Sequence, residues 1–150
     1  MRKIILVVFL SLLASSTYAQ YQGIGVGLIL GEPTGVSLKH WIDRNTAVDG
    51  AIAWSFADEG AFHIHGDYLI HNFTLITVEN GKLPFYYGVG ARIKTTSDVA
   101  LGVRVPVGLS YIFNDQPIDL FIEIVPLLDL IPKTNFRLNA AIGGRYYIDW

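Results

Sequence analysis

Three of the chain's four histidines fall in one short stretch, His63-Ile64-His65-Gly66-Asp67-Tyr68-Leu69-Ile70-His71. A spacing of two puts His63, His65, Asp67 and His71 on one side of an extended strand. Residues i and i+2 of a strand are about 7 Å apart at the backbone. The imidazoles can still converge, and His63, His65 and Asp67 would then offer two nitrogens and an oxygen of a zinc or copper type. The competing chemistry is a polar network, in which neutral imidazoles bridge carboxylates and guanidinium groups. The network is the favoured reading, and neither a metal nor a cofactor is expected.

A second constellation is charged. Asp49, Asp67, Asp119 and Glu123 share a strand face, by alternation, with Lys39, Arg92, Arg104, Arg137 and Arg145. Such a set can act as a salt-bridge plug or as the selectivity ring of a narrow pore. Nucleophilic catalysis would need a hydroxyl beside a base at the lipid-facing surface. Ser55 and Ser110 fall on the same inward face as His63, His65 and His71, and His40 on the other face has no evident serine. No enzyme is expected. Gly31-Glu32-Pro33-Thr34-Gly35 lacks the lysine and helix of a phosphate loop and reads as turn chemistry.

What positions these residues is a period of two that runs through most of the chain. Eight segments show it: 23–30, 35–42, 47–56, 62–71, 83–94, 99–111, 118–124 and 136–148, separated by turn residues. The fourth could continue through Val78 to Asn80-Gly81, a tight hairpin signal. The sixth is the clearest, with Val99, Leu101, Val103, Val105, Val107, Leu109 and Tyr111 on one face. Eight amphipathic strands close naturally into an up-and-down antiparallel barrel, because closure removes exposed edges.

Before the strands, residues 1–19 read as a secretory signal peptide. Arg2 and Lys3 precede an apolar run, and Thr17 and Ala19 supply the small residues at the cut. Residues 20–150 then form one domain. Removing Arg2 and Lys3 from the eleven Lys and Arg leaves nine against thirteen Asp and Glu, a formal charge of about −4. No basic patch appears, so nucleic acid is not an expected partner. No cysteine is available for a disulfide staple. Although 51% of residues are hydrophobic, no stretch after residue 20 holds about 18 consecutive apolar residues, so no transmembrane helix is expected.

Three features point the apolar strand face to lipid. The opposite face is mostly Gly, Ala and Ser, which suit a narrow eight-strand interior, whereas a water-facing surface is rich in Lys, Glu and Asp. That face also carries both charge signs, as a closed lumen requires. Aromatics gather near strand ends on the apolar face (Trp54, Phe56, Tyr111, Tyr146 and Trp150 among them), the pattern of girdles at two membrane interfaces. With a periplasmic N-terminus, the turns at 31–34, 57–60, 95–98 and 129–134 face outward. Those at 43–46, 79–82 and 114–117 face the periplasm, and all are short.

The terminal Tyr146, Ile148 and Trp150 resemble the C-terminal signal read by the outer-membrane insertion machinery. The order signal peptide, eight strands, terminal aromatic is similar to the small OmpA-like and OmpX-like barrels. The segments GEPTGVSLKHW (31–41), DGAIAWSF (49–56), HGDYLIHNF (65–73), LPFYYGVGARIK (83–94), LGVRVPVGLSYIF (101–113), FIEIVPLLDLIP (121–132) and NAAIGGRYYI (139–148) resemble a family of small spirochaetal outer-membrane proteins of unknown function. That resemblance implies an eight-stranded membrane-spanning barrel and little about biochemical role. The expected function is structural, in the outer membrane, with membrane lipid and the insertion machinery as partners. A narrow low-conductance pore, or a small surface protein binding a host or phage partner, are the alternatives.

Overall fold

The computed structural model describes residues 23–56 and 60–148. The expected signal peptide at 1–19, Trp150 and most of the 57–60 turn lie outside the described residues. The strands are β1 (Ile24–Gly31), β2 (Thr34–Trp41), β3 (Thr46–Ser55), β4 (Ala61–Asn72), β5 (Phe85–Thr95), β6 (Val99–Arg104), β7 (Val107–Ile112), β8 (Ile118–Ile131) and β9 (Asn135–Ile148). All pairings are antiparallel, and β1 pairs with β9, which closes the sheet on itself. β6 and β7 are two halves of one stave: both lie between β5 and β8, in a single register against β5 and, from Gly102 on, against β8. The barrel therefore has eight staves, as the alternation predicts.

The sixth segment is interrupted because Pro106 has no amide hydrogen. The Gly88 amide donates to the Pro106 carbonyl at 2.9 Å, and Pro106 cannot return the bond. Pro126 of β8 repeats the situation against Val105, whose amide donates to the Pro126 carbonyl at 2.9 Å. The ladder re-forms on both sides. β8 accordingly does not stop at Ile124 but runs through Pro126 to Ile131, so Asp129 belongs to a strand rather than to a loop.

The turns after β1, β3, β5 and β8 lie at one end, here the hairpin end. The start of β1, Ile24, and the end of β9, Ile148, pair at the other, the terminal end, with the connections after β2, β4 and β7. One of these is not short. The expected hairpin at 79–82 is a twelve-residue connection, 73–84, between β4 and β5. Asn80-Gly81 still makes a turn within it: Gly81 has φ +73°, and a Cβ there would lie 2.7 Å from the Ile112 carbonyl. The connection is pinned by reciprocal bonds between Lys82 and Ile112, 2.9 and 2.8 Å.

The phase of the alternation decides which face is outside. Leu28, Ile52, Ile64, Val103, Ile122 and Ile142 all point outward, and Ile122 and Ile142 are 55% and 54% exposed. This apolar belt circles the barrel, far beyond the patch size of ordinary water-soluble monomers. Aromatics rim it at both ends. Trp54 meets Phe62 edge-on at 5.3 Å near the hairpin end, with Phe56 beside them. Tyr111 meets Phe113 at 4.9 Å near the terminal end, where Tyr146 also faces out.

Candidate functional site: the polar lumen

Alternation turns Lys39, His63, His65, Asp67, His71, Arg92, Arg104, Asp119, Glu123 and Arg145 inward, and all are buried. Asp49 is half-buried on the same face, and Arg137 is more open, near the hairpin end. The registers explain why large residues fit. Arg104 lies opposite Gly90, Arg92 opposite Gly102 and Arg145 opposite Gly27. The inward aromatics follow the same rule: Tyr86 faces Gly108, Phe121 faces Gly143 and Tyr147 faces Gly25. A Cβ on Gly25 would sit 2.8 Å from the Tyr147 ring, and one on Gly108 would sit 2.6 Å from the Tyr86 ring. Much of the glycine in the strands is thus the space into which a neighbouring strand's bulky side chain folds.

The charges fall into three linked groups. Nearest the terminal end, Asp119 receives Lys39 at 3.7 Å, Arg145 at 3.6 Å and the Tyr147 hydroxyl at 2.8 Å. Arg145 also donates to Asp49 and to the Ser37 hydroxyl, both at 3.0 Å, and lies 4.0 Å over the Phe121 ring. At mid-height, Arg104 meets Asp67 at 2.9 Å and Glu123 at 3.5 Å, and Tyr86 donates to Glu123 at 2.9 Å. Toward the hairpin end, Arg92 grips both oxygens of Asp129 at 2.8 and 2.9 Å, and Arg137 approaches the same carboxylate at 3.5 Å.

These groups resolve a conflict built into the sheet. Asp49 and Asp67 are direct cross-strand partners on β3 and β4, and like charges so placed repel. Arg145 reaches Asp49 from β9 and Arg104 reaches Asp67 from β6, so each carboxylate has its own guanidinium. Arg145–Asp49 and Lys39–Asp119 join staves three apart and so span the lumen, while Arg104–Glu123 and Arg145–Asp119 join adjacent staves. An unpaired charge buried there would cost several kcal/mol.

The histidines divide among these groups instead of converging. His71 accepts from the Lys39 ammonium at 2.9 Å through Nε2, which leaves Nδ1–H to donate to the Asn45 carbonyl at 3.3 Å. His63 Nδ1 faces an Arg92 nitrogen at 3.4 Å. Among the described residues no three His, Asp or Glu side chains are gathered as a metal site. Ser55 donates to Glu32.

Sequence reading missed several members. Trp41, two residues beyond Lys39 and so on the same strand face, is buried against His71 at 4.4 Å, with the Lys39 ammonium 4.3 Å over its ring. Phe73, at the start of the long connection, packs on the same cluster with Ala47, Ile112 and Tyr147. These side chains close the lumen at its terminal end. Parity from Lys39 could have found Trp41. Asp129 was missed because residues 129–134 read as a turn after a strand ending at Ile124.

A closed ring of eight staves with a short-turn end, a charged interior and an apolar exterior has solved counterparts. The chain superposes on the N-terminal β-barrel domain of Pseudomonas aeruginosa OprF with a TM-score of 0.69, covering 85% of this chain and 98% of that one at 10% identity. It is also similar to Neisserial surface protein A, NspA, with a TM-score of 0.55, covering 83% and 93% at 14% identity. This is the fold of the small eight-stranded outer-membrane barrels. The OmpA-like expectation holds for the architecture. The sequence matches no family model and no curated protein sequence.

Proposed function

We propose that the protein is an integral outer-membrane barrel with a structural role in the envelope and a lumen sealed by salt bridges. The observation that carries the reading is the set of buried salt bridges spanning the lumen, Lys39 to Asp119 and Arg145 to Asp49, with Arg104 between Asp67 and Glu123, inside an apolar exterior and a closed terminal end. In lipid every backbone group needs an internal partner, which a closed barrel supplies. Export by the signal peptide at 1–19, insertion by the outer-membrane machinery and kinship with the small spirochaetal family belong to the same reading. No catalytic role is assigned.

Two measurements test it. Refolded barrel should migrate faster unboiled than boiled in gel electrophoresis, and should need detergent to stay in solution. In planar bilayers the wild type should be silent. Reproducible openings that disappear in Arg104→Ala or Glu123→Ala would replace the plug with a narrow pore.

A further inference from the structure

Three prolines surround one half of the β6–β7 stave. A proline in a ladder accepts a hydrogen bond but returns none. On the β5 side, the Ser110 amide donates to the Pro84 carbonyl at 3.1 Å and the Gly88 amide to the Pro106 carbonyl at 2.9 Å. On the β8 side, the Val105 amide donates to the Pro126 carbonyl at 2.9 Å. Each of these pairs is held by one bond, where a hydrogen-bonded antiparallel pair ordinarily exchanges two. Between the two proline pairs on the β5 side, the pairing is only residues 85–87 against residues 107–109.

Side chains do not compensate. β7 reads VGLSYI and carries no charge. The buried Ser110 hydroxyl, which faces inward, has no hydrogen-bond partner among the described residues. Gly108 lies opposite Tyr86 on β5 and opposite Glu123 on β8. The Tyr86 hydroxyl donates to Glu123 at 2.9 Å, and its ring covers the lumen side of Gly108. This bond joins β5 to β8 behind β7, so the two flanking staves are held to each other without it. Firm anchors stand on either side. Toward the hairpin end Arg104 is bridged to Asp67 and Glu123. Toward the terminal end Ile112 exchanges bonds with Lys82 and packs with Trp41, Ala47 and Tyr147.

We infer that residues 105–110 form a hinged panel of the barrel wall, which bows outward between these anchors and opens the lumen sideways at Glu123. Local opening concentrates where backbone bonds and buried contacts are sparse. The missing donors weigh more in lipid, where no water replaces them. The barrel survives the motion because Tyr86 and Glu123 keep β5 and β8 joined. The inference rests on the barrel fold and is independent of whether the closed lumen conducts.

The chain has no cysteine, so a single introduced thiol can report on the panel. Ser110→Cys places it in the panel, and Ala53→Cys places a reference thiol on β3; both positions are fully buried. Each full-length variant is refolded into vesicles, and heat-modifiable mobility first establishes that it is folded. N-ethylmaleimide should label Ser110→Cys roughly tenfold faster than Ala53→Cys. Adding Pro106→Ala or, separately, Pro126→Ala gives the Gly88 or the Val105 carbonyl a donor, and should slow that labelling roughly fivefold. Amide exchange of the unsubstituted protein is an independent readout. The Val105 and Ser110 amides should exchange roughly tenfold faster than those of Phe121 and Gly143, paired across β8 and β9. Equal labelling of the two thiols, panel amides as slow as those of β8 and β9, or rates indifferent to both proline substitutions would each overturn the panel.

Discussion

Arg104 reaches from β6 to Asp67 on β4, Nε to Oδ1 at 2.9 Å, from a position directly opposite Gly90. The glycine leaves the volume, the arginine crosses it, and the carboxylate that repels Asp49 is neutralised. Removing one member strands the others. Arg104→Met should destabilise the barrel by about 3–5 kcal/mol, measured by urea unfolding in vesicles. Combining it with Asp67→Asn and Glu123→Gln should restore part of the loss, because no uncompensated charge remains. A triple variant less stable than the single one would show that the network does not act as a unit.

The glycine pairing makes its own prediction. Gly25→Val would drive a side chain into the Tyr147 ring, where even a Cβ is only 2.8 Å away, and would disturb the Tyr147–Asp119 bond. A loss of about 1–3 kcal/mol is expected from overpacking. Gly66, on β4, has space: its Cβ would come no closer than 3.7 Å to the Asp49 carbonyl. Gly66→Ala should cost clearly less in the same unfolding assay.

The outer face separates lipid from water. Ile122 and Ile142 are paired neighbours on β8 and β9, each about half exposed. Ile122→Arg should cost about 2–4 kcal/mol if it lies near the bilayer midplane. On a water-facing surface the same change would be within about 0.5 kcal/mol. Folding yield and unfolding free energy in vesicles decide between them.

The turn between β2 and β3 gives a pH dependence away from the bilayer core. The Thr46 hydroxyl donates to Asp43 at 2.6 Å, and the Asn45 and Thr46 amides donate at 2.8 Å. These bonds, the hydroxyl's first, hold the Asp43 carboxyl below its usual 3.8. A lowered folded pKa means that the stabilisation is present above pH 3.8 and is lost as pH falls through the folded value. Asp43→Ala should cost about 1 kcal/mol or less at neutral pH. The gap from wild type should close below pH 4. A gap independent of pH would rule out the carboxylate as its source.

Alternation by itself determined the number of staves, the antiparallel closure and the inward or outward assignment of each strand residue. It could do so because side-chain direction on a strand is local, reversing at every residue. The charged residues that alternation turns inward lie in the lumen, from Asp49 on β3 to Arg145 on β9. Which charge meets which is not local. Arg145 finds Asp49, and Arg104 finds Asp67, only because ring closure and register bring distant strands to one height. The same holds for Asp129, which entered the lumen because β8 carries its ladder past Pro126, and for Phe73, which closes the terminal end from a connection read as a tight hairpin. The histidines show the division most clearly. Their spacing fixed that they point inward; tertiary structure gave His71 to Lys39 and His63 to Arg92, because those cations stand at the same depth.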